Sequence, residues 1–177
     1  MIQVRQIPLR PHQDPRGSVT ELFRQSWSCA DEPAPVQWNL LRSAGNVLRG
    51  VHVHLTHFDN LVVLEGTMHL GLCDLRADSP QFGQGSLLEL RGDAPTMVVI
   101  PPGVAHGFYF EAPCLAVYGM SHYWAPETDE LGCRWNDPRL NIPWPASCVA
   151  PALSPRDRDA VGLDALLKDM AAAEATQ

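Results

Sequence analysis

Short apolar runs separated by turn residues make up most of the chain before residue 122. Valine, leucine, phenylalanine and other β-prone residues concentrate in these runs, and 16 prolines and 13 glycines punctuate the sequence at short intervals. Runs at this spacing, without intervening helical patterns, are typical of an all-β sandwich or jelly roll. The sequence predicts strands at 19–23, 36–41, 47–54, 60–64, 68–74, 86–90, 96–100, 106–110 and 115–121.

The pattern changes after the segment Pro143-Trp144-Pro145. Residues 160–173 read AVGLDALLKDMAAA, and they carry four apolar side chains at helical spacing, Leu163, Leu166, Leu167 and Met170. This spacing predicts a short C-terminal helix at about 160–173, packed on the β-structure. With 177 residues and 45% apolar content the chain can form one core but is short for two, so residues 1–177 are expected to form a single domain.

Composition and charge narrow the possible functions. The net charge of −7 leaves no basic stripe for nucleic acid, although a few arginines can still hold a small anionic ligand. The N-terminus MIQVRQIPLR lacks the apolar run of a signal peptide, and no stretch approaches a membrane span, so a cytoplasmic protein is expected. The five cysteines are odd in number and form no CxxC pair, which indicates reduced thiols rather than disulfides or a zinc knuckle.

The segment RGVHVH at residues 49–54 carries the first chemical signal. Side chains alternate along a strand, so His52 and His54 face one way while Val51 and Val53 face the other. Burying two uncharged imidazoles in an apolar barrel is costly unless the protein uses them. The pair therefore predicts a functional pocket, which serves either a metal ion or acid/base chemistry.

The metal interpretation rests on a wider pattern. Asp59 and Gly66 follow the two histidines at set distances, and the segment Pro101-Pro102-Gly103-Val104-Ala105-His106 comes later. This order resembles the two motifs of the cupin superfamily, HxH(x)4-[E/D](x)6-G and PxGxxH. Metal-binding cupins hold iron, manganese, nickel or zinc with three histidines and one carboxylate, ligands that suit such ions. The resemblance implies a candidate metal set of His52, His54, Asp59 and His106.

The acid/base interpretation rests on a longer resemblance, from about residue 14 to 157. Eight ordered blocks are similar to those of the dTDP-4-dehydrorhamnose 3,5-epimerase family: DPRG with ELF at 14–23, QWN at 37–39, NVLRGVH at 46–52, DLR with SPQFG at 74–83, IPPGVAHGF at 100–108, WNDP at 135–138, IPWP at 142–145 and LSPRD at 153–157. This resemblance implies a cupin jelly roll, or double-stranded β-helix, that is usually a homodimer. It also implies action on a nucleotide-linked 4-keto-6-deoxyhexose without metal or other cofactor.

The resemblance implies three catalytic residues. A C–H bond beside a ketone is broken through an enolate, which requires a base on one face of the sugar, an acid on the other and a group that stabilises the oxygen. His52 matches the family's base, and Asp157 matches the carboxylate that orients this base. Tyr118 matches the tyrosine that returns a proton on the opposite face.

Further positions match residues that bind the substrate. His106 and Arg49 correspond to groups near the sugar, and Trp124 to a ring that stacks on the thymine base. The nucleotide and the sugar would be held by further polar residues, among which an arginine fork can bind pyrophosphate. These matches are Arg16, Glu21, Gln37, Asn39, Glu130 and Arg156.

One departure from the family pattern leaves alternatives open. The family carries a lysine near the sugar oxygens, where this chain has Asp59, and a carboxylate there would repel an enolate. Epimerisation of a single carbon is therefore an alternative to epimerisation of both. The segment also resembles the smaller dTDP-sugar 3,4-ketoisomerases, in which His54 would be a second catalytic group. A metal cupin and a non-catalytic sugar-nucleotide-binding cupin are further alternatives. The nearby His57 is predicted to be an exposed loop residue.

Overall fold

The computed structural model describes residues 4–125 and 131–175. Its strands lie in two five-stranded sheets and one two-stranded hairpin. In chain order the strands are β1 Arg5–Pro8, β2 Pro11–Asp14, β3 Gly17–Thr20, β4 Gln37–Ser43, β5 Val47–Val53, β6 Asp59–Glu65, β7 Thr67–Asp74, β8 Gly85–Arg91, β9 Thr96–Ile100, β10 Val104–Phe110, β11 Cys114–Met120 and β12 Leu131–Gly132. The helices are α1 Pro155–Arg158 and α2 Leu163–Glu174, with 3-10 turns at Gln25–Trp27 and Pro138–Leu140.

The strand order identifies the architecture as a jelly roll. One sheet has the order β1-β9-β6-β11-β4, the other has the order β12-β5-β10-β7-β8, and β2 pairs with β3. Neighbouring strands pair antiparallel, while consecutive strands such as β4 and β5, or β6 and β7, lie in different sheets. The predicted all-β cupin fold with a short C-terminal helix is confirmed.

Apolar side chains cover both faces of each sheet. The main cluster lies between the sheets and includes Leu61, Leu70 and Phe110. A second cluster joins the outer face of one sheet to α2, and a third packs the N-terminal segment against the other sheet. This double burial explains why the runs LVVL at 61–64 and MVVI at 97–100 do not alternate between polar and apolar residues.

The described strands differ from the predicted ones mainly near the chain ends. The prediction for 96–100 is confirmed, but the predicted strand 19–23 is largely wrong, because β3 ends at Thr20. The short strands β1, β2 and β12 and the single turn of α1 were not predicted. The C-terminal helix begins at Leu163 rather than 160, after an extended Gly162 at its N-cap.

Two other expectations concern the membrane and the cysteines. No helix among residues 4–125 and 131–175 has the length and apolar character needed to cross a bilayer. All five cysteines are free thiols, and four of them are buried, as the sequence indicates. Burial raises the pKa of Cys73 to about 12, so this thiol stays protonated at neutral pH.

Asp137 caps the C-terminal helix from outside it. Gly162 offers no side chain at the N-cap, and Asp137 Oδ2 instead accepts a hydrogen bond of 2.9 Å from the Leu163 N–H. The same carboxylate pairs with Arg139 at 3.0 Å. The hydrogen bonds from Arg139 and then from Leu163 outweigh the effect of burial and hold the pKa of Asp137 well below its ordinary value.

Replacing Asp137 with alanine is expected to lower the free energy of unfolding at pH 7 by about 1–2 kcal/mol, the range of a lost helix cap. Because the pKa is lower in the folded state, this contribution is present above the unfolded-state pKa of about 3.9 and is lost as the pH falls. Urea unfolding at pH 7 and pH 3 measures the effect. Asp93→Ala is the control, because Asp93 pairs with Arg91 at the surface and should change stability little.

Candidate active site

A cavity of about 70 Å³ opens where β5, β6, β10 and β11 meet at one end of the two sheets. In the strand register His106 is opposite His52, and Met120 is opposite Asp59, so four chain-distant segments converge there. The cavity brings together six titratable side chains and three others. They are His52, His54, His57, Asp59, His106, Phe108, Tyr118, Met120 and Trp124.

Gly50 explains the arginine-glycine pair that precedes the histidines. β5 and β10 shift register between His106 and Gly107, and Gly50 adopts a φ of +107° at this irregularity. A Cβ atom at Gly50 would lie 2.8 Å from the carbonyl oxygen of His106. Only glycine therefore lets the two strands approach closely enough to place His52 beside His106.

His52 is held by a buried carboxylate. Its Nε2 atom lies 2.7 Å from Asp157 Oδ1, and the two side chains are 22% and 6% exposed. An ionised carboxylate only accepts hydrogen bonds, so Nε2 carries the hydrogen and Nδ1 carries the lone pair when the ring is neutral. This arrangement supplies a base whose tautomer and orientation are fixed.

The turn of α1 places Asp157 beneath the sheet. Ser154 is the N-cap residue, Pro155 follows, and the Asp157 N–H donates to Ser154 Oγ at 3.1 Å. Burial alone would raise the pKa of Asp157, but the hydrogen bond and charge of His52, with hydrogen bonds to Ser154 and Gly50, hold it below its ordinary value. Asp157 is therefore ionised at neutral pH.

Asp59 is the centre of a second polar group, which we call the Asp59 cluster: His54, His57, Asp59 and His106. Asp59 is buried, with Oδ2 3.4 Å from the Nε2 atoms of both His54 and His106. Its other oxygen lies 3.7 Å from His57 Nε2. Three imidazoles thus surround one carboxylate on the wall of the cavity that also contains His52 and Tyr118.

The expectation that His57 is exposed is wrong. Its side chain is 2% exposed, and its ring stacks on His54 with centroids 3.9 Å apart. Ser121 anchors the loop between β5 and β6 through two hydrogen bonds to Phe58. The Ser121 hydroxyl accepts from the Phe58 N–H at 2.9 Å, and the Ser121 N–H donates to the Phe58 carbonyl at 3.0 Å. The sequence has no local signal for this burial, since Ser121 is distant along the chain.

His106 has a defined orientation as well. Its Nδ1 atom lies 3.1 Å from the carbonyl oxygen of Val104, which only accepts, so Nδ1 carries a hydrogen. In the neutral ring the lone pair is then on Nε2, the atom that faces Asp59. Burial, followed by the charge of His54, holds the pKa of His106 well below its ordinary value.

The mouth of the cavity carries several of the predicted substrate-binding groups. Tyr118 on β11 lines the cavity, and Trp124, 57% exposed, lies at its edge. The Trp124 N–H donates to Gln37 Oε1 at 3.2 Å, and Gln37 Nε2 donates to Asn39 Oδ1 at 3.1 Å. Gln37, Asn39 and Trp124 are therefore connected by hydrogen bonds at one edge of the cavity.

Three other residues predicted to bind the substrate do not line the cavity of this chain. Arg16 lies in the β2–β3 turn, pairs with Asp14 at 2.6 Å and has an 89% exposed side chain. Glu21 pairs with Arg24 at the surface. Arg49 is exposed, with its guanidinium 3.5 Å from the Arg42 carbonyl oxygen.

Two residues of the C-terminal half complete the set of predicted binding positions. Arg156 is exposed on the turn of α1, next to Asp157 but outside the lining of the cavity. Glu130 lies outside the described residues. Neither prediction is therefore tested by the arrangement of side chains.

A wider depression elsewhere on the surface has a different character. It measures about 460 Å³ and is lined by Arg76, Asp78, Ser79, Pro80 and Gln81. Arg76 and Ser79 are held there by the fully buried Asp74, at 2.6 and 2.7 Å. The DLR and SPQFG blocks thus stabilise a turn, and none of the cavity imidazoles lines this depression.

The residues whose ligand atoms lie close enough to share a metal ion differ from the set that the cupin sequence pattern implies. Among the described residues, ligand atoms of His54, His57 and Asp59 lie within 4.8 Å of one another. His52, a member of the expected set, is instead bound at Nε2 by Asp157. His106 remains a neighbour through its 3.4 Å contact with Asp59.

Comparisons with known proteins show which family the chain belongs to. The family model of dTDP-4-dehydrorhamnose 3,5-epimerase matches residues 2–165. The enzyme of that name from Pseudomonas aeruginosa is 36% identical over 151 residues, 82% of each chain. The one from Neisseria gonorrhoeae is 35% identical over 150 residues, which cover 81% of this chain but 45% of the relative.

Two solved structures extend the likeness to the fold. The Legionella pneumophila dTDP-6-deoxy-D-glucose-3,5-epimerase in complex with dTDP-4-keto-L-rhamnose has a TM-score of 0.83 and 32% identity, covering 94% of this chain and 91% of that one. A 3'-monoepimerase from Streptomyces bikiniensis in complex with dTDP-quinovose has a TM-score of 0.84 and 27% identity, covering 98% and 92%. With a family model that spans most of its length, the chain belongs to the dTDP-4-dehydrorhamnose 3,5-epimerase family.

Proposed function

We propose that this protein is an isomerase that epimerises a dTDP-linked 4-keto-6-deoxyhexose. One observation carries the proposal: His52, oriented at Nε2 by a buried carboxylate, shares a cavity with Tyr118. A base and a phenolic acid in one cavity are what proton exchange at carbon requires. The 3,5-epimerases and the 3'-monoepimerase that share this fold support the same substrate class.

The proposed reaction moves one proton at each carbon that is inverted. His52 Nδ1 takes the hydrogen from the carbon next to the ketone, and the electron pair of the C–H bond moves onto the carbonyl oxygen as an enolate. Asp157 stabilises the imidazolium that forms. Tyr118 then donates its phenolic proton to the opposite face of the same carbon, the enolate returns to a ketone, and solvent restores both side chains.

The nucleotide end is proposed to lie at the mouth of the cavity. Trp124 offers an exposed aromatic face there, on which a flat base can stack. Gln37 and Asn39 are hydrogen-bonded to each other and reach the same edge. The structures of relatives with bound dTDP-sugars support a nucleotide-sugar ligand.

A second candidate function rests on the Asp59 cluster. His54 lies in the same cavity as His52, as a 3,4-ketoisomerase with two proton-moving histidines would require.

The number of inverted carbons is also part of the proposal, because one structural relative is a 3'-monoepimerase. Asp59 in place of the family's lysine favours inversion at one carbon over inversion at two.

Solvent exchange distinguishes these activities. Incubation with dTDP-4-keto-6-deoxyglucose in deuterium oxide, followed by NMR, is expected to show deuterium at C3, with C5 labelled more slowly or not at all. A carbonyl that moves to C3 would identify the ketoisomerase. Binding of the sugar nucleotide without exchange at any carbon would contradict an enzymatic role and leave the binding-protein alternative.

Asp157→Asn is expected to reduce kcat by about 10²–10⁴-fold, the range of general-base catalysis. The amide can donate to Nε2, which would move the ring hydrogen to Nδ1 and remove the lone pair from the substrate side. Steady-state rates with the same keto sugar measure the effect. Asp159→Asn, an exposed change two residues further along, is the control and should retain full activity. Equal losses in both variants would contradict the proposed role of Asp157.

The protein is also proposed to act as a homodimer, in which Arg16 reaches the partner's cavity. The β2–β3 hairpin is exposed and pairs with neither large sheet. The edge strand β4 carries Trp38 and Leu40 on its surface, 42% and 60% exposed. An exposed apolar edge strand and a hairpin that projects from the sheets both support a two-fold interface.

Light scattering tests the assembly. The wild-type protein is expected to have twice the chain mass of 19.5 kDa. Leu40→Arg should shift it toward the monomer, because a charge buried in an apolar contact is costly. Val149→Arg, at a 71% exposed position outside β4, is the control and should leave the mass unchanged. A monomeric wild-type protein would contradict the proposal.

A further inference from the structure

The Asp59 cluster has no part in the proton transfers assigned to His52 and Tyr118. We propose that His54, His57, Asp59 and His106 bind one divalent first-row transition-metal ion, of the Zn²⁺ or Fe²⁺ class. His52 is not part of this set, because its ligand atoms do not belong to the group that converges at His54, His57 and Asp59, and its Nδ1 atom is the proposed base. The site therefore differs from the pattern HxH-D-H read along the sequence, since His57 takes the place of His52.

The distances in the cluster fit a coordination shell. His54 and His106 Nε2 lie 3.4 Å from Asp59 Oδ2, and His57 Nε2 lies 3.7 Å from Oδ1. Hydrogen bonds between nitrogen and oxygen are usually about 2.7–3.2 Å long. Ligand atoms around a tetrahedral ion with bonds of about 2.1 Å are about 3.4 Å apart. The distances in the Asp59 cluster match the separation of ligand atoms around an ion better than they match the length of a hydrogen bond.

The orientation of His106 points to a cation. Its Nδ1 hydrogen is directed at the Val104 carbonyl, so the neutral ring turns the Nε2 lone pair toward the Asp59 carboxylate. Two acceptors that face each other at 3.4 Å in a buried site repel unless a positive species lies between them. A metal ion satisfies both. A hydrogen bond from the other ring nitrogen to a backbone carbonyl, here that of Val104, is the usual way to orient a ligating histidine.

The donor types identify the class of ion. Imidazole nitrogens with a carboxylate oxygen suit zinc, iron, manganese or nickel. The core of the site is His54, His57 and Asp59, whose ligand atoms converge within 4.8 Å. Three such ligands leave positions for His106 and for a small ligand from the cavity.

The ion also gives the cluster a role in the reaction, a step that rests on the proposed function. All four ligands share the cavity with His52 and Tyr118, so a sugar held between these two residues has its oxygens beside the cluster. When bound, a divalent ion is an electrophile that stabilises negative charge on a carbonyl oxygen. Asp59 alone would repel an enolate. As a ligand of the metal ion, it instead holds the cation that stabilises the enolate.

Metal binding is tested directly on the full chain. After chelator treatment and dialysis, titration with Co²⁺ followed by visible absorption, and with Zn²⁺ followed by calorimetry, is expected to give one ion per chain. His57→Ala and Asp59→Asn should each weaken binding by at least about tenfold, the smaller end of the loss seen even for outer-shell residues. His69→Gln is the control, because this histidine stacks on Tyr109 and does not line the cavity.

The outcomes separate the site from the function. The proposed site is overturned if the folded wild-type protein binds no stoichiometric ion. It is also overturned if His52→Ala loses metal binding while His57→Ala retains it. Circular dichroism shows that each variant is folded. Deuterium exchange that falls at least tenfold in metal-free protein and returns on reloading supports the electrophile role, while unchanged exchange overturns that role alone. An ion that binds without any exchange contradicts the proposed function and leaves the site standing.

Discussion

The hydrogen bond between His52 and Asp157 is the interaction on which both the fold near the site and the proposed chemistry depend. A buried carboxylate is costly without a partner, and the residue Asp157 is 5% exposed, so its contacts with His52 and Gly50 anchor the C-terminal turn to β5. The same bond fixes which nitrogen of His52 carries the hydrogen. The anchoring of the turn and the proposed catalytic orientation of His52 therefore use one interaction.

The cavity contains a second buried carboxylate with a different environment. Asp157 has one imidazole partner at 2.7 Å, while Asp59 has three imidazoles at 3.4–3.7 Å. A single short contact suits a hydrogen bond, and several longer contacts around one centre suit a shared ion. The cavity thus has one side that suits the proposed proton transfer and another that suits the proposed metal ion.

Prediction from the sequence succeeded where burial leaves a local signal. The core strands are recognisable because apolar residues cover both of their faces, as in MVVI at 97–100, and motif spacing identified His52, His54, Asp59 and His106 as neighbours. β1 and β12 were missed because they are short edge strands defined by their partners β9 and β5. His57 was misjudged for a similar reason, since its burial depends on hydrogen bonds from a loop to distant Ser121.

Charge explains why the replacement of a lysine by Asp59 is compatible with enolate chemistry. If one of the surrounding imidazoles holds a proton, the imidazolium and Asp59 together have zero net charge, and an enolate gains little from them. A divalent ion with one carboxylate and three neutral imidazoles has a net charge of about +1, which equals the charge of the lysine that the family carries there. Burial of the cluster strengthens this difference, because charge in a low-dielectric site acts more strongly on a nearby oxygen than charge in water. In the proposed metal site, Asp59 and His57 thus supply ligands for an ion whose charge takes the place of the charge of the family's lysine.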